Sequence, residues 1–490
     1  MGIGPTLPFP PFLRTFSRHM IRPSSGLFVT MNTHHARKRA TMVKSAALFL
    51  LCFPFLAFSQ ERMPGKEPQN RPSLVTFEAV QFFGPDSSKS NVNIHYRIPR
   101  GFFVFVRASD PAAPKDEFTA RGQLQVELFN EQDVSVAREI RPMALTRTSL
   151  PQADEPQGDI EGAIAFSLAG GQYRIVFEVD DLESGRSFLD KKQSVKTQSS
   201  SLKSLALSDP MLAAIDSTRT NGIRYLPFNH GSNVLYGNVH GGMMCQLFCP
   251  QSDSALEVHW KLHGEADNQS QQIKDLSGTH FDLMPGLLSL STKDGPVAYQ
   301  AQVSGPTWRI LYIPVPLELL EPGQYKLELN AAVGKEQYKH EVSFRVIWPN
   351  RPVSLMDWDI ATDALRYIAK PEEMDRIVSS SSEKGLEEFR AFWRKRDPDT
   401  TTAYNQIMVE YYRRVDEATR QFSTVKELDG YKTDRGRIYI LNGPPTKVER
   451  SVLPGQPLRE LWTYDNIKKQ FVFTEKNKSG NYILTQTSNF

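Results

Sequence analysis

Cysteine is scarce in this chain of 490 residues, which holds only Cys52, Cys245 and Cys249. Cys245 and Cys249 are four residues apart. On a strand that places their Cα atoms about 13 Å apart. A disulfide needs less than about 7 Å. A disulfide scaffold is therefore excluded unless a bulge or turn intervenes. Residues 350–490 contain no histidine and no cysteine. That removes Ser–His, Cys–His and His-ligated metal chemistry from this part of the chain, leaving only carboxylate chemistry.

Net charge is also lacking once the N-terminus is set aside. Residues 1–59 carry seven basic side chains and no acid, which leaves 51 basic against 55 acidic residues, a net of −4, in the remainder. The basic balance belongs to the leader, and nothing in the composition points to nucleic acid.

Long apolar runs are missing too. The stretch Ala46–Phe58, with Lys44 before it and Ala57-Phe58-Ser59 at its end, reads as a secretory signal peptide over about 42–59. It is shorter than the roughly 20 residues that span a bilayer. Cleavage is expected after Ser59, with Met31 or Met42 as alternative starts. Leu51 before Cys52 does not fit a lipoprotein signal. The mature chain is expected to have no integral membrane span. Residues 60–73 are polar and proline-rich and read as a flexible N-terminus.

From Leu74 onward the chain is rich in strands. VNIHYRI, GFFVFVRA and GQLQVELFN have strand lengths and turn punctuation. A Gly-Gln-Tyr strand occurs twice, at 171–179 and 323–329, with Tyr173 and Tyr325 leading the two copies. The repeat predicts two tandem antiparallel β-sandwich domains, over 74–197 and 198–348, with each Tyr as a hydrogen-bonding corner. The second sandwich holds His230, His240, His259, His263 and His280 beside Cys245 and Cys249. The Cys spacing fits zinc only loosely and lacks a second pair, so neither a metal nor a cofactor is expected.

From residue 349 the period changes. Pro371 suits a first helical turn and Ser382 a cap. Tyr404 to Phe422 recur at three-and-four spacing as a core stripe. Four strand-like runs are read at 436–443, 458–465, 469–476 and 480–487. The chain is thus expected to be multidomain and mainly β. Its third domain, 349–490, would be α+β, with two or three helices on a four-stranded antiparallel meander.

One stretch stands out: GYKTDRGRIYILNGPPTKVER, residues 430–450. Pro444 and Pro445 have no N–H, which excludes phosphate cradling. Arg435 and Arg437 would share one face of an extended segment. They could grip an anion, or be neutralised by Asp434 or Asp397. A structural reading competes: Gly430 and Gly436 bracket a turn capped by Asp434, Ile438 and Ile440 enter a core, and Gly443-Pro444-Pro445 ends a strand.

These residues resemble the GWxTD domain proteins of bacterial envelopes. Gly430, Thr433, Asp434, Arg435, Gly436, Arg437, Ile438, Tyr439, Ile440, Gly443, Pro444 and Pro445 match the signature, with Tyr431 in place of its tryptophan. Phe392, Trp393, Arg396, Asp397 and Pro398 resemble an upstream F-W-x-x-R-D-P element, and Trp462 and Tyr464 a downstream W-x-Y strand. The resemblance implies a secreted or periplasmic protein and no particular reaction. The expected function is a non-catalytic envelope component whose partner is another envelope or surface protein. The alternatives are a carbohydrate- or peptidoglycan-binding protein, or a carboxylate enzyme centred on Asp434, Arg435 and Arg437.

Overall fold

The computed structural model describes residues 75–490 apart from short stretches, the longest of them 109–116, 149–157, 217–222, 251–255 and 267–274. The signal-peptide and cleavage readings, and His230, fall outside the described residues. No helix among the described residues is long and apolar enough to cross a membrane. The described residues all belong to one compact unit.

That unit is mainly β, and its first four sheets are stacked face to face. A three-stranded sheet (Thr76–Phe83, Ser90–Pro99, Asp159–Leu168) packs against a six-stranded sheet built around Phe118–Phe129 and Gly171–Asp181. The period-two alternation of each strand supplies the shared core: Val92, Ile94 and Ile98 meet Leu124, Val126, Ile175 and Phe177. An eight-stranded sheet around Gly241–Phe248 and Trp308–Val315 packs in the same way on a five-stranded sheet built from Leu256–Ala266, Gly323–Val333 and Glu336–Ile347. One pairing in the second sandwich departs from the antiparallel rule, because Asn233–Leu235 runs parallel to Arg345–Ile347.

The two sandwiches share a further core. Val80 and Phe82 leave the first sandwich on the reverse face of their strand and pack on Met211, Tyr225, Met244 and Tyr299 of the second. A polar seam runs through this contact. The Gln81 N–H donates to the Asp209 carboxylate at 2.9 Å, and the Asp209 N–H donates to the Gln81 carbonyl at 3.1 Å. His95 Nε2 lies 2.7 Å from the Tyr299 hydroxyl. The Ser232 hydroxyl donates to Glu78 at 2.9 Å. Buried polar groups are costly without such partners, and each of these contacts crosses from one sandwich to the other.

Both repeat tyrosines act as corners. The Tyr173 hydroxyl donates to the Ala169 carbonyl at 3.1 Å and the Tyr325 hydroxyl to the Glu321 carbonyl at 2.7 Å, each four residues upstream. Cys245 and Cys249 are buried and not disulfide-bonded to each other, and burial pushes the Cys245 thiol up to about 12.

Among the described residues the C-terminal region holds five α-helices: α1 (Trp358–Ala364), α2 (Pro371–Ser379), α3 (Ser382–Arg394), α4 (Gln406–Phe422) and α5 (Asp434–Asn442). Asp357 caps α1 by accepting the N–H groups of Asp359 and Ile360, and Asn405 caps α4 by accepting that of Met408. The stripe on α4 buries Tyr411, Tyr412, Val415, Ala418 and Phe422 as its spacing predicts. The four-stranded antiparallel sheet is Lys447–Ser451, Arg459–Tyr464, Lys469–Lys476 and Asn481–Asn489.

The run 436–443 is therefore not a strand. It belongs to α5, and the edge strand begins after Pro445. Two forces favour the helix. Thr433 caps it, its hydroxyl accepting the Gly436 N–H at 3.0 Å. Ile438 and Ile440, on nearly opposite sides of the helix, are both buried between α4 and the sheet.

Candidate functional site

The signature stretch is built from close approaches. A Cβ on Gly436 would lie 2.2 Å from the Gly430 carbonyl oxygen, and one on Gly430 would lie 2.5 Å from the Ala418 carbonyl oxygen. Only glycine lets the short turn Gly430–Lys432 fold back on both α4 and α5. The Thr433 hydroxyl completes the turn by donating to the Gly430 carbonyl at 2.8 Å. At the far end of α5, Gly443 adopts a φ of 79°, where glycine costs least. Pro444 and Pro445 then direct the chain into the sheet, and the Tyr464 hydroxyl donates to the Gly443 carbonyl at 2.9 Å.

Tyr431 stands where the signature has tryptophan. Its ring is buried and its hydroxyl donates to Asp363 Oδ2 at 2.8 Å on α1, a carboxylate that an indole N–H could equally serve. Its carbonyl accepts the Tyr367 hydroxyl at 3.0 Å.

The charged residues have separate roles. In a helix Arg435 and Arg437 point to different sides, not to the one face expected of an extended segment. Arg435 turns inward. Its guanidinium lies 3.4 Å from Glu460, donates to the Gly480 carbonyl at 3.1 Å and sits 4.1 Å above the Tyr482 ring. Glu460 also accepts Arg450 Nε at 3.0 Å and Trp462 Nε1 at 3.3 Å. Asp434 is not the cap. Its Oδ2 accepts the Leu484 N–H at 2.8 Å, fastening α5 to the last strand, and its Oδ1 accepts Arg437 at 3.2 Å. The pairing of Arg435 is thus with Glu460 and that of Arg437 with Asp434, while Asp397 takes part in neither. Arg396 covers the Phe392 ring at 3.5 Å and bonds Glu373 on α2 at 3.1 Å. Trp393, Trp462 and Tyr464 are core residues.

Glu460 was hidden among strand residues, though one signal could have found it. Glu460, Trp462 and Tyr464 alternate on one face of their strand, which places an acid on the core side.

A concave site lies elsewhere. A cleft of about 920 Å³ opens where the second sandwich meets α3 and the loop before α4. The Tyr236 hydroxyl donates to the Ala403 carbonyl at 2.6 Å, and its ring packs on Trp348 and Tyr404. Trp393 and Asp397 line this cleft, as do Glu321, Arg351, Arg390, Arg394, Met356 and Trp358. Burial raises the Glu321 carboxyl, and Arg390, the Tyr236 hydroxyl, Arg394 and Arg351 offset only part of the rise. Burial and the neighbouring Asp399 raise Asp397, although the Asp399 N–H offsets part of this. Among the described residues no group of three or more His, Cys, Asp or Glu gathers as a metal site.

No curated protein matches the chain. Among solved structures, the ICAM-5 D1–D4 ectodomain fragment overlaps 86% of this chain and 76% of its own at 12% identity, with a TM-score of 0.16. The viral chemokine binding protein R17 encoded by rodent gammaherpesvirus Peru overlaps 56% of this chain and 88% of its own at 11% identity, with a TM-score of 0.11. Scores that low carry no structural argument. The family comparison agrees with the local geometry: residues 332–490, from the last hairpin of the second sandwich to the end of the sheet, match the GWxTD domain, and the chain carries a GWxTD domain there.

Proposed function

We propose that this chain is a non-catalytic binding component of a cell envelope, exported to the periplasm or beyond, in which the GWxTD module is a folded support. The observation that carries this reading is the placement of the signature's ionisable groups. Asp434, Arg435 and Arg437 each bond to a neighbouring element or to one another. A general acid, base or nucleophile needs access to substrate, and a carboxylate tied to a backbone N–H and a guanidinium serves the fold first. Three of the six tryptophans, Trp260, Trp393 and Trp462, are buried in cores and cannot stack a sugar, while Trp358 stays exposed. Stacked sheets with a helical module suit a broad interaction surface, and the partner expected is another envelope or surface protein.

Affinity capture with the mature chain on an envelope fraction tests the reading. A specific protein partner is the expected result. Recovery of none, together with a hydrolytic or transfer activity that Asp434→Asn abolishes without changing the melting temperature, would overturn it.

A further inference from the structure

The loop between α4 and the signature turn, residues 423–429, holds its apolar side chains and its cation outward and its acids back. Val425 is 96% exposed and Leu428 76%, and Lys426 between them is exposed. Glu427 and Asp429 are half-buried, and both carboxylates are engaged. Glu427 accepts the Asp429 N–H at 3.2 Å, and Asp429 pairs with Lys432 at 2.7 Å. Internal hydrogen bonds fix this shape. The Thr424 N–H donates to the Glu427 carbonyl at 2.7 Å, the Glu427 N–H to the Thr424 hydroxyl at 3.0 Å, and the Ser423 hydroxyl to the Leu428 carbonyl at 2.6 Å. A loop ordered in advance presents its side chains at little further entropic cost. The end of the last hairpin lies alongside, since a Cβ on Gly480 would stand 4.0 Å from Thr424 Cγ2. The same arrangement recurs there: Lys476 is exposed, while Glu475 accepts the Gly480 N–H at 2.8 Å.

A side chain that is 96% exposed lines no groove, so the loop offers a knob and not a pocket. Two aliphatic side chains cannot supply the roughly 1,200–2,000 Å² that a stable protein interface buries. A lipid surface needs no matching shape. It takes up apolar side chains one by one and receives a lysine at headgroup level. We propose that this loop dips Val425 and Leu428 into the acyl boundary of a membrane surface bearing anionic headgroups, with Lys426 among the phosphates. The inference goes beyond the protein-binding reading and does not rest on it. Binding is reversible and no tighter than the roughly 10⁴ M⁻¹ of a single myristoyl chain, because only two side chains insert.

The test is flotation of the whole mature chain with vesicles of equimolar phosphatidylethanolamine and phosphatidylglycerol, beside vesicles of phosphatidylcholine alone. The parent chain should float with the anionic vesicles. The double variant Val425→Asp, Leu428→Asp should partition at least about tenfold less and keep the parent's melting temperature, because both positions are exposed. Lys426→Glu should weaken binding to the anionic vesicles at least about fivefold and leave that to phosphatidylcholine unchanged. No flotation of the parent with the anionic vesicles would overturn the proposal. So would a folded double variant that partitions within about twofold of the parent. A parent that captures an envelope protein in detergent which the double variant no longer captures would make the loop a protein contact, and would overturn it too. A double variant that leaves the vesicles yet captures the same protein as the parent supports the lipid assignment.

Discussion

Arg435 and Glu460 meet at 3.4 Å inside the C-terminal domain, with side chains only 13% and 4% exposed. The most conspicuous arginine of the signature is thus a bolt between α5 and the sheet. Glu460 serves Arg450 and Trp462 at the same time, so one carboxylate organises three donors.

Removing that charge should be costly. Breaking one side of a buried pair leaves the other charge desolvated, which costs about 3–5 kcal/mol in a dry interior. Because Arg450 is 75% exposed and can return to water, Glu460→Gln should lose about 2–3 kcal/mol. Chemical denaturation of the two proteins measures this.

Gly436→Ala should destabilise the domain by about 3 kcal/mol, because the new methyl group meets a backbone oxygen that cannot step aside. Gly305→Ala, which meets nothing within 4 Å, serves as the control and should stay within about 0.5 kcal/mol. Parallel urea melts distinguish the two.

The seam between the sandwiches should make stability depend on pH. Burial raises the Asp209 carboxyl from an ordinary 3.8 to about 6, although the Gln81 N–H offsets part of the rise. The folded state therefore holds the proton more tightly than the unfolded chain. The associated stability is complete below pH 3.8 and is lost as pH rises through about 6. Asp209→Asn should be more stable than the parent at pH 7, by no more than about 3 kcal/mol, and should flatten most of the fall between those values. Glu78, raised in the same direction by burial, should leave a residual slope. Melting temperatures across this pH range would show both effects.

Tyr325→Phe should cost about 1 kcal/mol by deleting the corner hydrogen bond to Glu321, with the ring still stacked on Phe344. Tyr173→Phe should behave alike in the first sandwich, since its bond to Ala169 has the same four-residue reach. Amide hydrogen exchange of the two corners is the readout.

The β character, the corner tyrosines and the α4 stripe were legible because each rests on a local period. Tyr173 and Tyr325 announce themselves through a repeated tripeptide, and α4 through one buried face. Helix α5 was not legible. Its run RIYIL is β-branched and aromatic, and burial on two sides erases the one-sided stripe that marks a helix. Nor could the seam be read. Asn93 and His95 alternate with apolar residues as solvent-facing positions do, yet they are buried because another sheet covers them. The partner of Arg435 was hidden by distance along the chain, since Glu460 lies 25 residues beyond it, whereas Arg437 pairs with Asp434 only three residues before it. The cleft draws Glu321, Arg351 and Arg390 from separate segments, and no motif joins them.

The signature thus holds the domain together. The melting temperature of Glu460→Gln, measured beside that of the parent chain, tests this most directly. Glu460→Gln is expected to melt lower, because Arg435 is left buried without its carboxylate. A Glu460→Gln protein that melts like the parent would contradict the account.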